Sequence, residues 1–170
     1  MLKHSDKKEP TTDQRFISKS STAFKIHIHC PDDTVLHRSV GFVRIGEEEG
    51  KRKAIKLRNK LGQELWGKYW TQVLHDEKLL IRLPHSLEPQ IVYKPHPTKN
   101  KPNQRLKCYI AKWRTDTENE PKRYKTVVRS IDKYGKLAAY SQTKRAIMEA
   151  QQHNIPILQF MGRYRITKLL

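Results

Sequence analysis

The chain of 170 residues is short of three things: long apolar runs, cysteine and acidic charge. No apolar stretch approaches the roughly 20 residues that a membrane-spanning helix needs, and none sits beside a basic amphipathic helix of the surface-binding kind. The opening residues, MLKHSDKKEPTTDQR, hold no apolar core of a secretory signal. A membrane partner is therefore not expected. Cys30 and Cys108 are the only cysteines. Two are too few for a disulfide framework in a chain this long, so a reducing cytoplasm is the expected setting. Asp and Glu number 17 against 35 Lys and Arg, a formal net charge of +18. Self-repulsion of that size costs the compact state, and a chain that carries it usually has a polyanionic partner.

Catalytic and metal-binding chemistry is equally sparse. His27, His29 and Cys30 are close in sequence, but two histidines on one strand face and one thiol do not make the four ligands of a structural zinc site. His85, His96 and Cys108 are scattered. The acidic runs at residues 47–49 (EEE) and 116–120 (DTENE) come without the acid, base and metal-ligand set of a nuclease. The first suits a helix N-terminus. No glycine-rich phosphate loop is present. Neither enzymatic activity nor a cofactor nor a metal is expected.

What the chain does contain is a pattern stated twice. Five of the nine prolines fall within residues 79–105, where they break helices and central strands. Sliding the sequence on itself by 85 positions aligns, without a gap, Arg38 with Arg123, Val43 with Val128 and Arg44 with Arg129. It also aligns Gly50 with Gly135, Lys51 with Lys136 and Ala54 with Ala139, and it sets Phe24, Ile26 and Ile28 on Tyr109, Ala111 and Trp113. Each copy opens with an alternating strand (FKIHIHC, then KCYIAKWR). A polar connection and a second strand follow (HRSVGFVRI, then KRYKTVVRSI). A glycine-bearing turn leads into a helix, over residues 48–74 in copy one and 136–153 in copy two. Shorter strands precede each pair, at RFIS (15–18) and IVYK (91–94). In the first helix Ala54, Leu57, Leu61, Leu65 and Tyr69 form an apolar stripe at i, i+3, i+4 spacing. In the second, Leu137, Ala138, Ile147 and Met148 do so less regularly. Trp113 is read as core, and Trp66 and Trp70 as core or interface residues. The implied fold is α+β, two small modules, each a three-stranded antiparallel sheet packed on one helix. Residues 1–20 form a basic arm, 21–78 the first module, 79–88 a linker and 89–153 the second module. Residues 154–170 form a C-terminal tail, read as a short strand or docking segment.

The second copy carries a Tyr-x-Ala-x-Trp strand at Tyr109, Ala111 and Trp113, a Ser-Ile-Asp-Lys-Tyr-Gly turn at 130–135, and an alanine on the helix at Ala139. In these features it resembles the ethylene-response-factor (Apetala) type of DNA-binding domain, in its bacterial and phage branch. The likeness covers about residues 89–150, and residues 20–70 more loosely. It implies a three-stranded sheet laid in the DNA major groove, a helix bracing the far side, and Arg and Trp of the open face on bases and phosphates. The chain departs from the family at Arg129, where an aromatic is common. It departs again in copy one, where Glu49 and Gly50 replace the Tyr-Gly turn, so copy one is expected to be a weaker binder or a structural platform.

The residues point the same way without the likeness, because a small sheet fits the major groove, where base edges are distinguishable. Residues 94–136 hold 13 basic residues against four acidic, half of the chain's excess charge. Alternation puts Lys112 and Arg114 on the open face of the second sheet. Arg123, Lys125 and Arg129 are the basic candidates on the next strand, with their phase undecided. Tyr93 and Lys94 on the preceding strand, and Lys25, His27, Arg38 and Arg44 in copy one, complete the expected contact set for double-stranded DNA. The run at 51–60, KRKAIKLRNK, is read as a solvated helix face. The expected role is sequence-specific DNA binding, as a transcriptional regulator or a site-recognition factor of a phage or mobile element. Two alternatives use the same features. One is an RNA-binding or ribonucleoprotein subunit, for which Tyr93 and Tyr124 are the available stacking aromatics. The other is a protein-interaction adaptor docking through Trp66, Trp70 and the 154–170 tail.

Overall fold

A computed structural model describes residues 14–97, 103–115 and 124–164. The arm at 1–13, the acidic connection at 116–120 and the candidate Arg123 lie outside the described residues. The chain divides into two units, Met1–Glu77 and Lys78–Leu170, each with a three-stranded antiparallel sheet.

In the first unit the sheet order is β1 (Ile17–Lys19), β2 (Ala23–His29), β3 (Val35–Gly41). Alternation along β2 buries Phe24, Ile26 and Ile28 and leaves Lys25, His27 and His29 on the other side. Helix α1 (Glu47–Trp66) follows, with Glu47, Glu48 and Glu49 in its first turn against the positive end of the helix dipole. Its buried line is not the expected leucine stripe. Gly50, Ala54, Arg58, Gly62 and Trp66 are buried in steps of four, and Leu57, Leu61 and Leu65 are only half-buried beside them. Close approach selects the small residues: a Cβ on Gly62 would lie 2.3 Å from the Trp70 indole, and one on Gly50 2.5 Å from Cβ of Phe42. Arg58 is tolerated there because its guanidinium donates to the Arg15 carbonyl at 3.0 Å and to Asn59 Oδ1 at 3.0 and 2.9 Å.

The single helix expected over 48–74 is broken. Gly67 takes φ 52°, a conformation glycine enters without a Cβ penalty. A 3₁₀ turn (Gly67–Tyr69) then leads to α2 (Trp70–His75), which returns Trp70 against Gly62. Arg15 closes the end of α2 by donating to the carbonyls of Val73 and Asp76, both at 3.0 Å. Trp66 is 0 % and Trp70 5 % exposed, and Trp66 Nε1 donates to the His29 carbonyl at 2.8 Å. Both indoles are core of this unit. The expectation that they form a protein-docking surface is thereby corrected.

The second unit repeats the sheet as β4 (Gln90–Pro95), β5 (Arg105–Arg114), β6 (Tyr124–Ser130), in that order. Tyr109, Ala111 and Trp113 are buried, as their alternation predicts. One-turn helix α4 (Ile131–Tyr134) is capped by the Ser130 side chain, which accepts from the Lys133 amide. Helix α5 (Lys136–Ala150) buries Ala139, Thr143 and Ile147, and Tyr140 meets Tyr109 edge to face at 5.5 Å. Leu137, expected in the stripe, is 79 % exposed.

Residues 79–88 are no linker, for they belong to this unit. They hold α3 (Leu79–Arg82) and bury Leu79, Leu83 and Leu87. Of the segment from 154 onward, expected as a strand or tail, Ile155–Phe160 form α6, with Pro156 in its first turn and Ile157 and Leu158 buried, and 165–170 lie outside the described residues. The apolar spacing LxxxLxxxL at 79–87 and the IL pair at 157–158 were the available signals.

Glu88 ties the 79–88 segment to α5. Its carboxylate accepts from Tyr140 Oη at 2.6 Å and from Lys144 Nζ. That bond, then burial and the Glu88 charge, push the Tyr140 hydroxyl up to about 12. For Glu88, burial pushes the carboxyl up, but bonds from Lys144 and Tyr140 and the Lys144 charge together hold it below its ordinary value. A raised tyrosine value stabilises fully below the unfolded value, about 10, and that stability is lost as pH rises through the folded one. The depressed Glu88 value stabilises above the unfolded carboxyl range and is lost as pH falls through the folded one. Spectrophotometric titration should thus show one tyrosine ionising near pH 12, returned towards the ordinary range in Glu88→Gln.

The two sheets correct the gapless slide. Phe24 pairs with Val40 and Tyr109 with Arg129, so β2 and β5 match at an offset of 85 but β3 and β6 at 89. The helix entries agree with 89: Gly46 donates to the Phe42 carbonyl and Gly135 to that of Ile131, at φ 84° and 78°, each with ψ 156°. The β2–β3 connection spans five residues, 30–34, and the β5–β6 connection nine, 115–123. Gly50 thus corresponds to Ala139 rather than Gly135. Four residues is about one helical turn, so the mistaken slide still laid buried Ala54 on buried Ala139 and Arg58 on Thr143, although it set buried Gly50 on exposed Gly135.

Candidate nucleic-acid interface

Strand pairing fixes which side chains share the face opposite the helix. In the second unit Gln90 pairs with Ile110 and Ile110 with Val128, Val92 with Cys108 and Cys108 with Ser130, and Lys94 with Leu106. Lys112 pairs with Thr126 and Arg114 with Tyr124. The open face therefore carries Lys94 at one end and Lys112 and Arg114 at the other. Val92, Ile110, Thr126 and Val128 lie between. Lys112 Nζ sits 4.3 Å above the Tyr124 ring, which is 48 % exposed. An open groove of about 710 Å³ runs along this end, and its walls include Arg82, His85, Ile110, Lys112, Arg114 and Tyr124. Arg82 and His85 were missed because residues 79–88 read as linker.

The same pairing removes several expected residues from that face. Lys125 lies opposite Trp113, Arg129 opposite Tyr109, and Tyr93 opposite Lys107, so all three are on the helix side. Arg129 Nε donates to Gln142 Oε1 of α5 at 2.9 Å, and its Nη1 to the Val128 carbonyl at 3.0 Å; these bonds hold it to its own unit. Trp113, 9 % exposed, is not on the open face where the family likeness would put a tryptophan.

In the first unit Ser18, Lys25, His27, His29, Val35, His37 and Ser39 share the open face. Among the described residues Lys25 is its one Lys or Arg. Arg38 pairs with Ile26, on the helix side of β3, and donates to the His37 carbonyl at 2.9 Å. Arg44 is exposed in the turn before α1, off the sheet. The first face is thus histidine-rich where the second is rich in Lys and Arg.

Among the described residues no three His, Cys, Asp or Glu side chains come together as a metal cage, and no helix is long and apolar enough to cross a membrane. Cys30 and Cys108 are free thiols, both buried. Comparison of the chain with protein-family models, with curated proteins and with solved structures finds no match.

Proposed function

We propose that this protein binds double-stranded DNA, chiefly through the open face of the β4–β5–β6 sheet. The observation that carries the reading is the arrangement on that face: Lys94 at one end, Lys112 and Arg114 at the other, and a strip of methyl and hydroxyl groups between. Cations at the ends suit phosphates. Methyl and hydroxyl groups suit base edges in a major groove wide enough for a small sheet. The net charge of +18 supplies long-range attraction to any polyanion. The first unit, with Lys25 and histidines on its open face, is the weaker binder. A use in transcription or in site recognition by a mobile element rests on the family likeness of residues 89–150 alone.

Tyr124 favours a second reading, single-strand or RNA binding by stacking, since it is an exposed aromatic on the same face. Competition of labelled duplex DNA against single-stranded DNA and structured RNA decides between them. Duplex should compete best. Arg114→Ala should cost about 1–3 kcal/mol on the preferred site and relax preference at one base position, if Arg114 reads a guanine edge. Lys112→Ala should weaken all sequences alike. If single strands compete better than duplex, and Tyr124→Ala loses most of the affinity, the stacking reading replaces this one.

A further inference from the structure

On the open face of the first unit, β2 and β3 pair so that His27 stands opposite His37. The rings meet edge to face with centroids 5.2 Å apart, and Nδ1 of His27 lies 3.0 Å from Nδ1 of His37. On the far side of the His27 ring, Nε2 lies 2.9 Å from the Ser18 hydroxyl of β1. One polar chain thus crosses all three strands. The sequence pattern set His27 beside His29 and Cys30, but Cys30 is buried and its thiol points to the Ile28 carbonyl. The partner that matters comes from the neighbouring strand.

Two imidazole nitrogens at this separation can share one ion. With metal–nitrogen bonds of about 2.05 Å, a 3.0 Å span encloses an angle of about 95° at the metal. That cis angle suits tetragonal or octahedral Ni²⁺ and Cu²⁺ better than tetrahedral Zn²⁺. We propose that His27 and His37 form a two-nitrogen chelate for a late first-row divalent ion of this kind, with Ser18 orienting His27. In the metal-free pair one Nδ1 carries the shared proton. Binding transfers that proton through solvent to Nε2 of the same ring, and both Nδ1 lone pairs then face the ion. No oxidation state changes. A His27 Nε2–H donating to Ser18 Oγ is the tautomer that leaves Nδ1 free, the usual part of an outer-shell partner. Water fills the remaining positions, because no carboxylate or thiol among the described residues completes the site. Lys25, two residues along the same face, opposes a cation and keeps the affinity modest. The proposal is independent of the DNA reading.

Ni²⁺ titrated calorimetrically into the full chain near pH 7.5 tests it. The chain has eight histidines, so the quantity read is the difference between wild type and variant. One class of Ni²⁺ binding should vanish in His27→Gln and in His37→Gln. It should weaken about tenfold in Ser18→Ala and persist in His29→Gln. A chelate across paired strands exists only in the folded state, so Ni²⁺ should also raise the thermal midpoint of the wild type and not of the two glutamine variants. Metal-free melts check the folding of each variant; should His27→Gln unfold, His37→Gln, exposed on an edge strand, carries the test. Retention of the binding class and the midpoint shift in either histidine variant overturns the proposal. So does their loss in His29→Gln.

Discussion

Raising the salt from 50 to 200 mM should weaken duplex DNA binding by about a hundredfold. Strand pairing defines which cations lie on the open faces. Lys94, Lys112, Arg114 and Lys25 are the fixed cations there. Each neutralised phosphate contributes about −0.9 to the slope of log affinity against log salt. Four contacts give a slope of roughly −3.6, and a fourfold rise in salt then costs on the order of 10² in affinity. A slope near −6 would mean that cations off the open face, such as Arg38, Arg44 and Lys125, also reach phosphates, and the flat-face geometry would have to be given up. A slope shallower than about −2 would sink the claim that a basic sheet drives binding. Lys112→Ala should flatten the measured slope by about one unit.

The largest effect on stability should come from Trp66→Ala, at roughly 3–5 kcal/mol. Trp66 ends the buried line of α1 with 0 % exposure and donates its indole N–H to the His29 carbonyl, joining helix to sheet. Truncation removes the ring, opens a cavity and takes the donor from a part-buried carbonyl. A unit of fewer than 80 residues has little stability to lose, so the first unit should unfold while the second keeps its own core. Amide hydrogen exchange resolves the two: protection should vanish over β1 to α2 and persist over β4 to α6. Gly62→Ala probes the neighbouring contact on the same buried line, since its Cβ would meet the Trp70 ring of α2 at 2.3 Å. If both variants leave exchange in the first unit unchanged, the glycine-and-tryptophan seam is not what holds α1 to the sheet.

The open face of the second sheet is half legible in the sequence. On β5 the alternation of Tyr109, Ala111 and Trp113 with Lys112 and Arg114 is unambiguous, because one set is apolar and the other basic. On β6 it is not. Lys125, Val127 and Arg129 alternate with Tyr124, Thr126 and Val128, and each set mixes apolar with polar. Hydrophobic patterning then has nothing to grip, and only pairing with β5 assigns a face. In α1 the leucines advertised a stripe, yet the buried line runs through two glycines and an arginine. Phe42 and the Trp70 indole approach the helix closely at the two glycines, and packing chose small residues over apolar ones.

From composition and periodicity alone come the net charge of +18, the α+β class, the two sheet-helix modules and the buried side of β2 and β5. Those features depend on local spacing and summed charge, and both can be read along one dimension. Tertiary structure decided the rest: the four-residue offset between the units, the helix-side placement of Arg38, Lys125 and Arg129, the folding of residues 79–88 into the second unit, and the meeting of His27 with His37. Each of these depends on which residue of one strand stands opposite which residue of another, or on what a distant segment packs against. Hydrogen-bond register and side-chain packing set those partners, and they join residues that sequence neighbourhood does not.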